Sequence, residues 1–166
     1  MIQVSYVAPG TKLSPHFTLA ELTHTSRAAL EDANAKEAAA YLSPLTALCT
    51  TLLEPVRTRF GPVSIHSGFR GPSLNAAVGG SGTSQHCKGE AADLHCPNAN
   101  LVVVYEWIVA SGLPFGQVIL EGTDHKPTWI HLSLGPPWRD ASRSGMALVY
   151  NGKDYRPFEK EKGRVA

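Results

Sequence analysis

The sequence predicts an α+β fold in which helices come first and a small antiparallel sheet follows, and three observations support this prediction. Residues 43–60 repeat apolar side chains at helical spacing, whereas short strand-like segments separated by glycine-rich loops dominate from residue 63 onwards. Near the end, Asn151-Gly152 lies between two strand-like segments, which is typical of a β-hairpin. Helices and strands that are segregated along the chain favour α+β over a doubly wound sheet. A length of 166 residues fits one domain, spanning 1–166.

The first half of the chain is predicted to contain two helices. An alanine-rich stretch at 27–41 is the first, and 43–60 is the second. Ser43 can cap the second helix and Gly61 ends it. Pro55 should bend it, because proline cannot donate a backbone hydrogen bond. One face of this helix carries apolar residues, namely Leu45, Leu48, Cys49, Leu52, Leu53, Val56 and Phe60.

The second half is predicted to supply the sheet. A short helical turn is expected in GPSLNAAVGG, and a helix at 99–111 that Gly112 closes. The predicted strands are 63–67, 91–96, 116–121 and 128–134, followed by the hairpin strands within MALVY and KDYRPF.

Composition excludes several classes of protein. The net charge is +1 and the basic residues are not clustered, which argues against a nucleic-acid binder. No apolar run reaches the length of a membrane span, so we expect no stable membrane insertion. Three cysteines without a CxxC pair argue against a structural zinc knuckle. Cys49 is expected in the core, and a disulfide between Cys87 and Cys96 would require an oxidising compartment and is not favoured.

The stretch SQHCKGEAAD at 84–93 carries a candidate metal-binding pair. His86 is predicted in a loop and Asp93 in the strand that follows, seven residues later. Such a turn from loop to strand can bring an imidazole and a carboxylate to one ion. The spacing alone leaves a second interpretation open, in which both are polar surface residues.

The strand-like segment around His131 supplies a third candidate. Alternation places Ile130 and Leu132 on the core face, and Trp129, His131 and Ser133 on the opposite face. Two imidazoles and one carboxylate, with a fourth position left for water, describe a catalytic rather than a structural zinc site. An ion bound there would lower the pKa of its water to about 7 and polarise a carbonyl group.

A family resemblance covers most of the chain. SxHxxGxAxD at 84–93, followed by WxH at 129–131, resembles peptidase family M15, the zinc D-Ala-D-Ala carboxypeptidases and phage endolysins. The stretches LSPHFTLAELTHTSRA and LLEPVRTRFGPVSIHSGFRGPSLNAAVGGSGTSQH and the closing hairpin are also similar to its phage-type subgroup. The resemblance implies a hedgehog/DD-peptidase-like fold, and Zn²⁺ bound by His86, Asp93 and His131.

The resemblance also implies roles for two residues near the predicted ligands. Arg70 matches a family arginine at the substrate end of the site, where a guanidinium can bind a carboxylate or stabilise an oxyanion. Judged by itself, Arg70 would be a surface arginine after a strand. Ser84 is expected to orient the site and contact substrate rather than to react, because no nucleophile motif surrounds it.

The general base is open between two carboxylates. Some family members carry an acid three positions before the last histidine, but Thr128 occupies that position here. Glu121 ends a predicted strand, where phage-type relatives carry a glutamate, and Asp124 lies in the loop just after it. We favour Glu121, because a strand would fix its position.

The remaining histidines receive weaker assignments. His95 shares a strand face with Asp93, so it could line the cleft or replace a ligand, and His66 is expected in strand packing or cleft lining. His16, His24 and His125 are expected at the surface.

By resemblance, the predicted function is that of a zinc metallopeptidase that cleaves peptide bonds in bacterial peptidoglycan, as a carboxypeptidase or endopeptidase of the phage endolysin type or a similar cell-wall hydrolase. The alternative is a metal-stabilised, non-catalytic binding or virion-structural domain of the same fold. The expected partners are peptidoglycan stem peptides, bound by a monomer. The N-terminus shows no signal peptide, so we expect synthesis in the cytoplasm of a bacterial host and action on the wall after release.

Overall fold

The computed structural model describes residues 7–8, 10–123, 126–138 and 141–159. The helices are α1 Leu19–Thr23, α2 Ala28–Glu37, α3 Leu42–Leu48, α4 Glu54–Phe60, α5 Pro72–Ala77 and α6 Leu101–Ala110. The strands are β1 Ser64–Ser67, β2 Ala91–His95, β3 Phe115–Thr123, β4 Lys126–Leu134, β5 Met146–Tyr150 and β6 Tyr155–Pro157. Short 3₁₀ turns occupy Ala38–Tyr41, Gln85–Lys88 and Ala141–Arg143. The predicted α+β class is confirmed, since five of the six helices in the described residues precede β2 and five of the six strands there follow α5.

The six strands found in the described residues form one sheet in the order β1-β2-β4-β3-β5-β6. Every pair is antiparallel except β3 and β5, which run parallel. The prediction of an antiparallel sheet is therefore corrected at this one pair. β4 runs back to the end of the sheet where β3 begins, and β5 starts at that same end on the other side of β3, so β5 is parallel to β3.

One face of the sheet packs against the helices. The core contains Leu94 of β2, Leu120 of β3 and Ile130 of β4, together with residues of α3, α4 and α6. Ile130, Leu132 and Leu134 are all buried, as the alternation of β4 predicted. Ser133, expected on the polar face, is fully buried instead, and its hydroxyl accepts a hydrogen bond from the backbone of Gln117.

The long helix predicted at 43–60 is interrupted by a π-helical turn at Cys49–Leu53, between α3 and α4. In that turn the N–H of Glu54 donates to the carbonyl of Cys49, one residue further back than in an α-helix. Pro55 has no backbone N–H to donate, so a bend was predicted near this position. The structure has a π turn directly before Pro55 as the irregularity of the helix. The predicted Ser43 cap is wrong, because the 3₁₀ turn Ala38–Tyr41 leads directly into α3 and no side chain caps it.

The closing hairpin is confirmed, but its loop is longer than two residues. β5 and β6 pair antiparallel, with residues 151–154 between them. The side chain of Asn151 accepts hydrogen bonds from the N–H groups of Lys153 and Asp154, which stabilises a four-residue turn.

Two further expectations concern the membrane and the cysteines. Within the described ranges, no helix combines the length and the apolarity that a bilayer span requires. Cys49, Cys87 and Cys96 are all free thiols, and Cys49 lies in the core as predicted.

Candidate metal centre

The structure brings His86, Asp93 and His131 together. His86 Nε2 lies 3.2 Å from His131 Nδ1 and 3.3 Å from Asp93 Oδ1, and His131 Nδ1 lies 2.9 Å from the same Asp93 oxygen. These three form the one group of metal-ligand type found among the described residues. Their assignment as ligands remains a prediction.

Two of the three side chains are positioned by the sheet. Asp93 of β2 and His131 of β4 are directly opposite each other across an antiparallel pair, so both project from the same face of the sheet, opposite the core residues Leu94 and Ile130. The backbone register thus sets the separation of the carboxylate and the imidazole, and the core beneath β4 holds it.

His86 reaches the other two from the turn Gln85–Lys88. Its Nδ1 lies 2.8 Å from the carbonyl oxygen of Gly68, at the end of β1. A carbonyl oxygen only accepts, so Nδ1 carries the proton and the lone pair of the neutral ring is on Nε2, the atom that faces Asp93 and His131. A histidine held in this way by a carbonyl is the usual support of a metal ligand.

The segment that carries this carbonyl is fixed by α1 and α2. The N–H of Phe69 donates to the carbonyl of Leu22 at 2.6 Å. Gly68 must be a glycine, because a Cβ there would overlap the Leu22 carbonyl oxygen. Asn34 of α2, 1% exposed, donates from Nδ2 to the carbonyls of Thr23 at 2.7 Å and Phe69 at 3.0 Å.

Asn34 makes a third bond, in which its Oδ1 accepts from the N–H of Gly71 at 2.7 Å. Neither Asn34 nor Gly68 was predicted from the sequence to support the site. The sequence could have drawn attention to Asn34 as a polar residue at a core-facing position of a helix. It could not have shown which backbone groups Asn34 binds.

The protonation states of the group suit a cation. Burial by itself raises the pKa of Asp93, but the neighbouring His86 and His131 outweigh it and hold that pKa well below its usual range. Burial lowers the pKa of His131, in spite of its hydrogen bond with Asp93. An anionic carboxylate and a neutral imidazole are the forms that bind metal.

The donor set and its dimensions fit Zn²⁺. Bonds of about 2.0–2.2 Å at tetrahedral angles place ligand atoms about 3.3 Å apart. The three measured separations lie between 2.9 and 3.3 Å. Two nitrogens and one oxygen on one side leave the opposite side for water or substrate, as in catalytic zinc sites.

Glu121 lies beside this group on the same face of the sheet. It is opposite Trp129 in the β3–β4 pair, two residues from His131 along β4, and it is half-buried. Burial raises the pKa of Glu121, the charge of His131 opposes this effect, and Asp93 adds to it. Asp124, the other candidate base, lies outside the described residues.

Arg70 and Ser84 lie against the turn that carries His86. The N–H of Arg70 donates to the His86 carbonyl at 3.1 Å, and Arg70 Nη2 donates to Ser84 Oγ at 3.3 Å. Ser84 Oγ also accepts from the N–H of His86 at 3.3 Å, so it caps that turn. Within the described part of the chain, the buried Nε of Arg70 has no hydrogen-bond partner.

The other described histidines lie away from this group, two of them paired with each other and two paired with glutamates. His95 Nδ1 lies 2.6 Å from His66 Nε2, and His95 does not belong to the metal-ligand group. His16 lies 2.8 Å from Glu54, and His24 lies 2.8 Å from Glu31 at the surface. His125 lies outside the described residues.

Aromatic side chains border Glu121 on the side of β6. Tyr150 and Tyr155 are opposite each other, with ring centroids 4.6 Å apart, and Tyr155 is 56% exposed. Burial raises the pKa of Tyr155, and Glu121 adds to this effect, as expected if the two side chains are neighbours. Trp129 is also exposed, at 37%.

An α+β fold in which a short turn and two paired strands bring a His-Asp-His group together defines a candidate metal-dependent enzyme. The model of the family described as Peptidase M15 matches residues 15–133, which contain all three of these residues. The chain therefore belongs to peptidase family M15. Membership implies a hydrolase of metallopeptidase type, and M15 peptidases are typically zinc-dependent. No curated protein matches the chain significantly.

Proposed function

We propose that this protein is a zinc-dependent peptidase that cleaves peptide bonds in bacterial peptidoglycan. The observation that carries the proposal is the convergence of His86, Asp93 and His131, at separations of 2.9–3.3 Å, beside the half-buried Glu121. Membership of family M15 supports peptide bonds as the bond type.

Glu121 serves as the general base in this proposal. When bound, zinc lowers the pKa of a water molecule to about 7 and polarises the carbonyl of the scissile bond. The Glu121 carboxylate accepts the proton of the attacking water and later delivers it to the leaving amine. The strand pairing of β3 with β4 holds Glu121 near His131 for both steps. The raised pKa of Glu121 also suits a group that must first accept a proton and then donate it.

Arg70 provides the substrate contact. Its guanidinium is only partly used by Ser84, so it can bind a carboxylate of a stem peptide or stabilise the oxyanion. If it mainly binds, Arg70→Ala raises KM more than it lowers kcat, whereas a role in the transition state lowers kcat. An unchanged kcat/KM would assign Arg70 to the surface.

The biological setting follows from the same proposal. The substrates are peptidoglycan stem peptides, recognised by a monomer in its own cleft. The protein would act as a phage endolysin or similar cell-wall hydrolase, made in the cytoplasm of a bacterial host and active on the wall after release.

The test is mass spectrometry of fragments released from purified peptidoglycan, with and without a chelator. Active protein should release peptide fragments of defined mass, which also identify the bond cut, and the chelator should stop the release. Bound zinc without any release would favour a non-catalytic binding or virion-structural domain.

Two variants separate the metal from the base. His131→Ala should lose both zinc and activity, because two protein ligands rarely hold a catalytic ion. Glu121→Gln should keep zinc and the fold while activity falls by about two to four orders of magnitude. Glu106→Gln is the matched control, because Glu106 is exposed on α6. If Glu121→Gln stays near wild type and Asp124→Asn loses activity instead, Asp124 is the base.

A further inference from the structure

His66 and His95 form a second cluster of ligand-type atoms outside the predicted zinc site. His66 Nε2 and His95 Nδ1 are 2.6 Å apart, and the two ring centroids are 4.6 Å apart with an angle of 28° between the ring planes. Two imidazole nitrogens that face each other across so short a distance hold one proton between them or share one cation.

A β-bulge brings these two histidines together. In the β1–β2 pair, Ile65 is opposite Leu94 and Ser67 is opposite Asp93, so His66 is an extra residue with no partner of its own. A bulge redirects the side chain of the extra residue. His95 is two residues from Asp93 in β2, so it projects from the same face of the sheet as the predicted ligand.

The position of the pair permits cation binding. His66 is exposed and His95 is partly exposed, so water can complete a coordination shell. In the stretch of chain that the structure describes, no third side-chain ligand lies with them in a metal-type group. A site with two imidazoles and water is expected to bind more weakly than the group of three.

The dimensions require only a small adjustment. Two metal–nitrogen bonds of about 2.0–2.1 Å at a tetrahedral angle set the nitrogens about 3.3 Å apart. The pair must therefore open by about 0.7 Å from its 2.6 Å separation. Rotation of the exposed His66 ring can provide this movement, and the result would match the 3.2 Å between His86 and His131.

We propose that His66 and His95 form a second, weaker site for a divalent transition metal such as Zn²⁺ or Ni²⁺. The metal takes His66 Nε2 and His95 Nδ1 as ligands and keeps water in its remaining positions, and the proton between the two nitrogens moves to the other nitrogen of its own ring or passes to solvent. The order of affinity among metals follows the general series for imidazole sites, in which Cu²⁺ binds most tightly.

The binding test uses the full chain, stripped of metal and titrated with Zn²⁺ by calorimetry. Wild type should bind two equivalents, one tight and one weak. His66→Gln and His95→Gln should each keep the tight equivalent and weaken the other by about tenfold or more. His24→Gln is the matched control, because His24 is an exposed histidine with a carboxylate partner elsewhere.

Failure of this inference and failure of the proposed function look different. A His131→Ala protein should lose the tight equivalent and keep the weak one. If wild type binds only one equivalent, or if both glutamine variants bind the second as wild type does, the inference is overturned whatever the fate of the first site. Loss of the weak equivalent in His24→Gln would place it at His24 and would equally overturn the proposal.

A structural readout locates the ion directly. Crystals soaked in excess Zn²⁺ should show an anomalous peak between His66 and His95, and His95→Gln crystals should lack it. A second peak at any other place, with none at this pair, would refute the assignment.

One consequence rests on the proposed function. A cation beside Asp93 adds positive charge to the face that binds substrate in that proposal. Excess Zn²⁺ should therefore inhibit the peptidase activity of wild type. Each glutamine variant should resist this inhibition, when its activity in excess Zn²⁺ is compared with its own activity at one equivalent. Equal inhibition of all three proteins would contradict this consequence without affecting the metal titration.

Discussion

Asn34→Ala should both destabilise the fold and weaken metal binding, although Asn34 contacts none of the predicted ligands. The side chain joins the end of α1 to the segment after β1 through three buried hydrogen bonds, at 2.7, 3.0 and 2.7 Å. Alanine would leave the carbonyls of Thr23 and Phe69 and the N–H of Gly71 without their partner. Asn34 is 1% exposed, so bulk water does not replace the lost bonds.

The expected magnitude follows from these three groups. Each buried backbone group left unpaired costs about 1–3 kcal/mol, and water that enters the small cavity recovers part of this. We therefore expect the free energy of unfolding to fall by about 3–5 kcal/mol. With a urea m-value of about 2 kcal/mol/M, the midpoint of unfolding should fall by about 1.5–2.5 M.

The effect on the metal follows from Gly68. Its carbonyl orients His86, and it lies directly before Phe69, which Asn34 holds. Loss of such a supporting contact typically weakens metal affinity about 10- to 100-fold. Zinc affinity should be measured by competition with a chelating dye, in conditions where circular dichroism shows the variant to be folded.

Asn100→Ala provides the control. Asn100 caps α6 by accepting from two backbone N–H groups, so its loss should cost about 1 kcal/mol and leave zinc affinity unchanged. If Asn34→Ala costs less than about 1 kcal/mol, or weakens zinc no more than Asn100→Ala does, the reasoning about the segment after β1 is refuted.

Two further predictions test the support of the site and the carboxylate of Glu54. Gly68→Ala should weaken zinc binding and leave the helix content nearly unchanged, because its methyl group would overlap the Leu22 carbonyl next to the segment that orients His86. A variant with the zinc affinity of wild type, measured by dye competition, would contradict this. Burial by itself raises the pKa of Glu54, but hydrogen bonds from Ser14 and His16 outweigh it and lower that pKa. A lowered folded-state pKa stabilises the fold above the unfolded value and loses this contribution as pH falls through the folded value. Glu54→Gln should therefore be about 1–2 kcal/mol less stable than wild type at pH 7. Denaturant curves should show this difference in stability shrinking below pH 4.5, the ordinary pKa of a glutamate. A difference that stays constant with pH would rule out the charge of Glu54 as its cause.

The parts of the site that are local in sequence could be predicted. The core face of β4 follows from alternation over a few residues, and Ile130 and Leu132 are buried as expected. The juxtaposition of Asp93 and His131 was expected from the family motif, and the strand register accounts for it. Both features depend on short patterns that survive without knowledge of the tertiary structure.

The parts that depend on distant contacts could not be predicted. Asn34 bonds residues 11, 35 and 37 positions away, and no periodicity in the sequence points to those partners. The His66–His95 pair depends on one extra residue in a β-bulge, and without the bulge the register of β1 would be different. The parallel pairing of β5 with β3 likewise depends on the path of the chain between β4 and β5.

The three predicted ligands are supported unequally. Asp93 and His131 project from paired strands whose other face packs into the core, so moving them would disturb the sheet itself. His86 lies in a short 3₁₀ turn, and its orientation depends on one carbonyl of Gly68. Variants that weaken the contact between His86 and the Gly68 carbonyl should therefore lower zinc affinity more than equally destabilising variants elsewhere. They change the position of one ligand while the other two remain in place.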